Sequence, residues 1–403
     1  MNGADDLLST LQQLWPGAEV ARATARRAAA GADVVAEVAL APSARSPRMA
    51  VPVRPRAATA AGLSRFHAGL GSRTRATRAL AAGVGRLTGA AVLPDRLVVR
   101  GDSAGSLAEH LTRVLGEPVH LFVGVGSERV NRKPVVGVVD RRGRPVAFAK
   151  VGIGPVAATD VRTEAAALVR LAEVGWNRVR VPRLIDDAPW AGHPVLVATA
   201  LPTSARQPAA WREHAPGVVL TEIGAAFAEP ARAFTDLDWF AGLGEQLASL
   251  EDTELRAVAT ACHEALADRD TEVAVGAWHG DLTPWNLAAH RGRVGVWDWE
   301  RFETSVPLGL DALHHHLNAV TVRRGSDPDT VLAALGEVDV AAPELVGLYL
   351  AAVTARYLVL AQGPGGDRIS ARGVAFLDAW QRWSRTPPDA HRRVGPRRAT
   401  TRR

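Results

Sequence analysis

The sequence predicts an α+β protein in which a small antiparallel β-rich region precedes a mostly helical region. Two observations carry this prediction. From residue 118, short apolar runs rich in Val, Ala and Phe are separated by turn residues, which is typical of strands. From about residue 208 nearly every segment has the apolar spacing of a helix, and a single loop-and-hairpin stretch at 277–300 interrupts the helices.

The β-rich region is predicted to contain five strands and one helix. Three strands come first, in PVHLFVGVG, PVVGVVD (134–140) and PVAFAKVG (145–152), with RRGR as the tight turn between the last two. A helix follows at 160–175, where apolar residues recur at helical spacing and Gly175 provides a stop. VPRLIDD and HPVLVATAL (193–201) predict two more strands, which completes a small antiparallel lobe.

Residues 1–115 form an N-terminal accessory α/β region that is rich in Ala and Arg and has no catalytic motif. DDLLSTLQQLW predicts a short amphipathic helix, residues 34–54 predict two strands about a Ser/Pro turn, and residues 57–83 predict another helix. The other predicted segments are the β-rich lobe at 116–201, the helical lobe at 202–385 and a disordered basic tail at 386–403.

The formal net charge of +6 conceals a strong charge polarity along the chain. Residues 21–94 carry twelve arginines against two acidic residues, whereas residues 201–384 carry 14 arginines against 25 acidic residues, a balance of −11. The tail at 385–403 carries seven arginines against one aspartate, but it has no Phe, Tyr or Trp to stack on bases. The composition therefore gives no indication of nucleic-acid binding.

Composition and the N-terminus predict a cytoplasmic protein. The one cysteine, Cys262, excludes an internal disulfide and fits a reducing compartment. The acidic start MNGADDLLST lacks the positive segment and apolar run of a signal peptide. The most apolar stretch, 345–361, is short for a bilayer and contains Arg356, so it predicts a buried helix and no membrane partner.

The stretch AWHGDLTPWNLAAHRGRVGVWDWE (277–300) sets polar side chains among apolar ones. Gly and Pro place its first half in a loop, and RGR is the turn between two short strands, NLAAH and VGVWDW. Such a hairpin brings Asn286 close to Asp298, and an amide oxygen beside a carboxylate suits Mg²⁺ when substrate phosphates and water complete the coordination. Asp281, five residues before Asn286, is placed to accept a hydrogen bond from an incoming hydroxyl.

D-x-x-x-x-N followed by an aspartate on the next hairpin resembles the catalytic loop and metal-binding aspartate of kinases. In the form HGD…N…WDWE it resembles the aminoglycoside phosphotransferase/choline kinase-like family of small-molecule phosphotransferases. The resemblance implies a bilobal protein-kinase-like fold that uses ATP, or another nucleoside triphosphate, with Mg²⁺. It implies Asp281 as the catalytic base, Asn286 and Asp298 as the Mg²⁺ ligands, and His279 as a brace of the loop. Asp311 is expected to hydrogen-bond this loop from the next helix, the alternative being a carboxylate that stabilises the first helical turn.

Two upstream residues extend the resemblance. Kinase-like folds place a lysine on the third strand of the small lobe and a glutamate on the following helix. AFAKVG supplies Lys150 at a strand position, and TEAAAL supplies Glu164 fourteen residues later. The chain has two lysines against 46 arginines, so the lysine kept here fits a compact charge that orients the α- and β-phosphates.

The expected nucleotide contacts are less regular. The loop that should cover the phosphates, GVGSERVNRK, has two glycines in place of G-x-G-x-x-G, and the backbone amides near Gly126 and Ser127 are its candidate phosphate contacts. Lys133 at its end is either a further participant or a structural residue. The adenine is expected to dock against the hinge backbone near Ala200 and Leu201.

The predicted reaction is transfer of the γ-phosphoryl group to an alcohol of a small molecule: a sugar, an aminoglycoside or an amino alcohol. The −11 balance of residues 201–384 favours a cationic acceptor. Two other classes stay open, namely a kinase-like protein that binds a nucleotide or a partner without catalysis, and a protein kinase. Twelve residues separate Asp298 from Asp311, too few for an activation segment, which disfavours the protein kinase. The HHH run (314–316) predicts no metal site, because consecutive helical positions diverge.

Overall fold

The computed structural model describes residues 3–24, 33–45, 47–124, 133–269, 271–363 and 365–386. The chain divides into two compact units, and each is considered by itself. The sheet unit comprises Met1–Glu173, Arg180–Gln207 and Ala288–Glu300. The helical unit comprises Val174–Val179, Pro208–Leu287 and Arg301–Arg403.

The sheet unit is built on one nine-stranded sheet in which every described pair of neighbouring strands is antiparallel. In chain order its strands are β1 (Ala18–Thr24), β2 (Val34–Ala41), β3 (Met49–Pro52), β4 (Asp95–Gly101), β5 (His120–Gly124), β6 (Val135–Val139), β7 (Pro145–Val151), β9 (Leu184–Asp186) and β10 (Val195–Thr199), while the two-residue strand β8 (Val179–Arg180) lies outside it. The spatial order is β1-β4-β2-β3-β5-β6-β7-β10-β9. The five strands predicted from residue 118 onward are therefore β5, β6, β7, β9 and β10.

Residues 1–115 are continuous with this sheet. They supply β1 to β4, and β3 pairs with β5 through Met49 opposite Gly124 and Ala50 opposite Val123. The two strands predicted at 34–54 are β2 and β3, but β1 and β4 were not foreseen. The pairing of β3 with β5 is non-local and has no signature in either strand alone.

The sheet unit contains five described α-helices, of which α3 packs on α2: α1 (Gly3–Leu14), α2 (Arg56–Leu63), α3 (Ser72–Thr88), α4 (Leu107–Leu115) and α5 (Pro155–Ala172). The prediction of one helix at 57–83 was wrong, because residues 64–71 separate α2 from α3. This loop contains Gly69 and Gly71, whose backbone freedom disfavours a helix. The loop between α2 and α3 includes residues that line the same cavity as Lys150.

The two faces of the sheet differ because strand side chains alternate. On β7, Ala147, Ala149 and Val151 join the core formed with α1 and α4. Phe148 and Lys150 point to the opposite face, where α2 packs with Phe122 of β5.

The helix predicted at 160–175 corresponds to α5. It begins earlier, at Pro155, because proline is favoured in the first turn of a helix.

The sheet unit also contains a hairpin of β13 (Leu287–His290) and β14 (Arg293–Val296). Its turn contains Arg291 and Gly292 in left-handed conformations, as the RGR sequence predicts. The chain leaves β14 towards Asp298 and Glu300, so this hairpin carries both carboxylates.

The helical unit contains seven described helices: α6 (Gly217–Ala226), α7 (Asp238–Ala248), α8 (Thr253–Ala267), α9 (Leu310–Arg324), α10 (Pro328–Gly336), α11 (Glu344–Ala361) and α12 (Asp367–Arg385). It also contains a three-stranded antiparallel sheet, ordered β11 (Glu229–Ala233), β12 (Glu272–Trp278), β15 (Glu303–Pro307). The prediction that the stretch 277–300 is the single interruption of the helices was wrong, since all three of these strands were missed. A short apolar run such as that of β12 does not distinguish a strand from a buried helix.

The core of the helical unit is centred on α11. Leu348, Tyr349 and Leu350 of α11 are buried with Phe376 and Trp380 of α12. Among the described helices, α11 is the one long and apolar enough to cross a membrane, and 67% of it is buried within the protein. The predicted buried helix at 345–361 is thus confirmed, and the α+β class, with an antiparallel β-rich part followed by a mainly helical part, is confirmed as well.

Candidate active site

Lys150 of β7 is the centre of the charged site in the sheet unit. Its ammonium group contacts the carboxylates of Glu164 on α5 and Asp298 after β14. The side chains of Lys150 and Glu164 are 11% and 4% exposed, so both charges are removed from water. Burial alone would lower the pKa of Lys150, but the carboxylates of Asp298 and Glu164 raise it above its ordinary value. Lys150 is therefore a fixed positive charge.

Lys133, the other lysine of the chain, extends this network. It contacts Glu300 and lies 3.2 Å from Asp160 of α5. Its side chain is 10% exposed, so its role among the described residues is that of an ion-pair partner. Glu300 is therefore paired with Lys133. We call Lys133, Lys150, Asp160, Glu164, Asp298 and Glu300 the lysine cluster.

Three carboxylates of the lysine cluster converge. Oxygen atoms of Glu164, Asp298 and Glu300 lie within 4.8 Å of one another. Burial raises the pKa of Glu164, against the opposing pull of Lys150. Burial and the nearby charge of Asp298 raise the pKa of Glu300 to about 7, although Lys133 and Lys150 oppose the shift. A divalent cation would relieve this repulsion, because hard oxygen ligands of like charge are what Mg²⁺ binds.

Asp298 adopts a backbone conformation that few non-glycine residues adopt. Its φ is 75°, in the left-handed region. Aspartate is one of the few non-glycine residues enriched in this region, and here it combines this conformation with the ion pair to Lys150.

A cavity of about 390 Å³ lies in the sheet unit with Lys150, Glu164 and Asp298 in its wall. The rest of the wall is mainly apolar and includes Phe122 and Phe148. This volume is within the range of pockets that hold small organic ligands. The cavity therefore combines an apolar chamber with a charged end.

The hinge residues Ala200 and Leu201 line this cavity, as the sequence predicted for a nucleobase site. The Ala200 N–H already donates to the Val146 carbonyl oxygen at 3.1 Å. No described residue accepts a hydrogen bond from the Leu201 N–H, which makes it the better hinge donor for a ligand. The other predicted phosphate contacts, Gly126 and Ser127, lie outside the described residues.

The HGD loop of the helical unit is fixed by Asp311 at the start of α9. The two Asp311 carboxylate oxygens accept hydrogen bonds from the N–H groups of His279 at 2.7 Å and Gly280 at 3.2 Å. Gly280 has φ +75°, and a Cβ there would meet the Arg301 carbonyl. Glycine is therefore required at this turn. The expected hydrogen bonding between Asp311 and this loop is thus observed.

His279 is fully buried, and its Nδ1 accepts a hydrogen bond from the Asp281 N–H at 3.2 Å. This contact fits the predicted brace. Burial raises the pKa of Asp311 to about 7, although the two loop N–H groups oppose the shift. The loop therefore depends on a buried carboxyl group that is poised to titrate near neutrality.

Asn286 orients the carboxylate of Asp281. Its Nδ2 donates to the Asp281 main-chain oxygen at 2.9 Å and to Asp281 Oδ2 at 3.0 Å. The amide nitrogen is thus committed to Asp281, and the amide oxygen is the atom through which Asn286 could bind a cation. Asn286 belongs to the helical unit and Asp298 to the sheet unit, so their joint Mg²⁺ site stays a prediction.

His314 on α9 is a site residue that the sequence prediction missed. Its Nε2 lies 3.0 Å from Asp281 Oδ1, and its Nδ1 lies 3.1 Å from the Tyr349 hydroxyl. Because an ionised carboxylate only accepts, Nε2 carries the ring proton and Nδ1 accepts from Tyr349. Burial lowers the pKa of His314, against the opposing charge of Asp281. His314 follows Asp311 by three residues, so the helical spacing placed both on one face and could have revealed it.

The other two histidines of the run point elsewhere. His315 Nε2 lies 2.9 Å from the Trp211 carbonyl oxygen, and His316 lies against Glu213 and Glu337. The three rings do not converge on one ion, as the helical geometry predicts.

Residues 135–308 match the family model described as "Phosphotransferase enzyme family" (APH). The matched segment contains Lys150, Glu164, Asp281, Asn286 and Asp298. The resemblance predicted from these residues is therefore confirmed over this segment.

Three solved structures are similar to this chain. A putative fructosamine-3-kinase from Thermobifida fusca YX-ER1 is 18% identical, covers 69% of this chain and 99% of its own, and has a TM-score of 0.41. Aminoglycoside 2'-phosphotransferase-IIIa, solved as a GDP complex, is 15% identical with the same coverage and a TM-score of 0.43. An amicoumacin kinase in complex with AMP-PNP, Ca²⁺ and Ami is 12% identical, covers 69% of this chain and 94% of its own, and has a TM-score of 0.40. No curated protein matches the chain.

The raised pKa of Asp311 predicts a pH-dependent contribution to stability. The ordinary pKa is 3.8, so between about pH 4 and pH 7 the folded chain binds a proton at Asp311 that the unfolded chain has lost. This contribution is fully present below that window and declines as the pH rises through it. Asp311→Asn cannot titrate, so the melting temperature of the wild type relative to this variant should be higher at about pH 5 than at about pH 8.

Differential scanning calorimetry of both proteins at the two pH values measures this difference. Glu254→Gln, which changes an exposed carboxylate on α8, is the matched control and should show no such change. A difference between wild type and Asp311→Asn that is the same at both pH values would contradict the assignment.

Proposed function

We propose that this protein is a small-molecule kinase that transfers the γ-phosphoryl group of ATP, or of another nucleoside triphosphate, to a hydroxyl group. The observation that carries the proposal is the ion pair of Lys150 with Glu164 and Asp298 at the charged end of the cavity. The apolar chamber suits a nucleobase, and a compact, permanently charged ammonium group suits its phosphates. The family match over residues 135–308 supports the same class of reaction.

The donor set of the chain fits Mg²⁺. The candidate ligands offer oxygen atoms only, and the converging carboxylates of Glu164, Asp298 and Glu300 supply negative charge. We propose that Asp298 and the amide oxygen of Asn286 are the protein ligands, as the motif implies. The ion, when bound, would supply neutralisation of charge on the phosphate oxygens.

Asp281 is proposed to act as the base. It would accept the proton of the acceptor hydroxyl while that oxygen forms a bond to the γ-phosphorus and the bond from the γ-phosphorus to the β–γ bridging oxygen breaks. The nucleoside diphosphate would then leave with the bridging oxygen. Hydrogen bonds from Asn286 and His314 hold the two carboxylate oxygens of Asp281, so its orientation is set before the acceptor arrives.

The acceptor is proposed to be a sugar, an aminoglycoside or an amino alcohol. The −11 balance of residues 201–384 would draw a cationic acceptor toward the part of the chain that carries Asp281. A kinase-like protein that binds nucleotide without turnover is the competing class.

An acceptor screen tests the proposal directly. The full chain is incubated with MgATP and a panel of aminoglycosides, sugars and amino alcohols, and mass spectrometry detects an added phosphate. Asp281→Asn should lower turnover by about 10²–10⁴-fold because the base is lost, while MgATP binding by titration calorimetry is retained. Asp298→Asn should lower both turnover and MgATP affinity, because it removes a charge next to Lys150 and the proposed metal.

Binding of MgATP by the wild type without any phosphorylated product across the panel would favour the binding protein. Turnover by Asp281→Asn at the wild-type rate would contradict the proposed base.

His314 supplies a separate prediction about positioning. His314→Leu removes the hydrogen bond that fixes Asp281 Oδ1, and His314 is not among the residues that line the cavity of the sheet unit. We expect kcat to fall by about tenfold, the loss of one hydrogen bond to a charged group, with KM for ATP within about twofold of the wild type. Steady-state kinetics on the acceptor found in the screen measure both constants.

His315→Leu is the matched control, since His315 is its buried neighbour on α9 and contacts Trp211 instead. Equal losses of kcat in the two variants would show that the effect comes from packing of α9 and not from the contact with Asp281.

A further inference from the structure

The N-terminal region forms part of the wall of the cavity. Ala61 at the end of α2 and Ser64, Arg65 and Phe66 in the loop that follows line the same space as Lys150. They reach it because β3 pairs with β5 and because α2 packs on the face of the sheet that carries Phe122. A region without a catalytic motif thus contributes directly to the candidate nucleotide site.

Arg65 is held in place at this wall by its backbone. Its carbonyl oxygen accepts a hydrogen bond from Arg78 Nη1 at 2.5 Å, and the preceding Ser64 hydroxyl donates to the Ala61 carbonyl oxygen at 3.0 Å. These bonds tie the loop to α3 on one side and to α2 on the other. The backbone that carries the half-buried Arg65 side chain is therefore fixed.

The guanidinium group of Arg65 lies over the ring of Phe148, with its carbon 5.2 Å from the ring centroid. It also lies beside the end of β5, since a Cβ added to Gly124 would come 3.5 Å from Arg65 Nη1. Gly124 is the first residue of the segment predicted to cover the phosphates. Phe148 and Lys150 share one face of β7 about 6–7 Å apart, so Arg65 lies toward the charged end of the cavity.

Arg65 balances the net charge of the cavity wall. The charged residues in the wall are Arg65, Lys150, Glu164 and Asp298, so the wall is neutral with Arg65 and carries one net negative charge without it. A nucleoside triphosphate is a polyanion, and a negative wall would repel it. No described carboxylate lies within ion-pair distance of the Arg65 guanidinium, which keeps its donors available to a ligand.

We propose that Arg65 binds a phosphate group of the nucleoside triphosphate, so that the N-terminal region completes the nucleotide site. The inference rests on the proposed function. A guanidinium group presents a planar fork of donors that matches two phosphate oxygens, and its stacking on Phe148 pre-orients that fork. A neutral nucleobase or ribose would gain no ionic interaction from the positive charge of Arg65.

Titration calorimetry on the full chain tests the inference with two probes, MgATP and adenosine. Arg65→Gln should weaken MgATP binding by about tenfold to a hundredfold, the loss of one or two charge-assisted hydrogen bonds, and leave adenosine binding within about twofold. Arg65→Met keeps an apolar stem over Phe148 and should give the same result, so the test stands even if one variant fails to fold. Arg73→Gln, an exposed arginine at the start of α3, is the matched control and should bind both probes like the wild type.

The outcomes separate the two claims. Wild-type affinity for MgATP in the Arg65 variants would overturn the role of Arg65 and leave the proposed kinase intact. Equal weakening of MgATP and adenosine would also overturn it, because Arg65 would then shape the base pocket. Absence of MgATP binding by the wild type would overturn the proposed function and this inference together.

Discussion

The sheet unit depends on the burial of one ammonium group between two carboxylates. The Lys150 side chain is 11% exposed, and an unpaired charge at such a depth would cost several kcal/mol. Glu164 on α5 and Asp298 after the β13–β14 hairpin supply the compensation, so elements that are distant in sequence converge on one atom. The same contacts that make folding possible therefore aim Lys150 and Asp298 at the charged end of the cavity.

A similar constraint organises the HGD loop of the helical unit. Asp311 is 5% exposed, and it satisfies its two oxygens with the N–H groups of His279 and Gly280. The loop is therefore anchored before Asp281, and Asn286 and His314 then fix the Asp281 side chain from two directions. In both units the polar residues are held by buried partners, which is the pre-organisation that catalysis by positioning requires.

The sequence was sufficient where function is encoded in short, local patterns. Lys150 on a strand, Glu164 on the next helix and the HGD loop with Asp311 follow from motif spacing, and the structure places each in the expected element. It was insufficient where contacts are non-local. Nothing in the sequence of β3 identifies β5 as its partner. Without that pairing, the position of Arg65 at the cavity wall cannot be predicted from the sequence. Helical spacing on both sides of residues 64–71 also hid the break between α2 and α3, although Gly69 and Gly71 in that segment disfavour a helix.

Binding of nucleotide phosphates by Lys150 is directly observable, because the chain has two lysines. With ¹³C,¹⁵N-labelled lysine the chain gives two sets of side-chain NMR signals, and Lys133→Arg assigns them. Addition of MgATP should shift the Cε and Nζ resonances of Lys150 strongly, because a phosphate replaces part of its carboxylate environment, while adenosine should shift them little. Saturation with MgATP, verified by calorimetry, that leaves the Lys150 resonances unchanged would contradict the account.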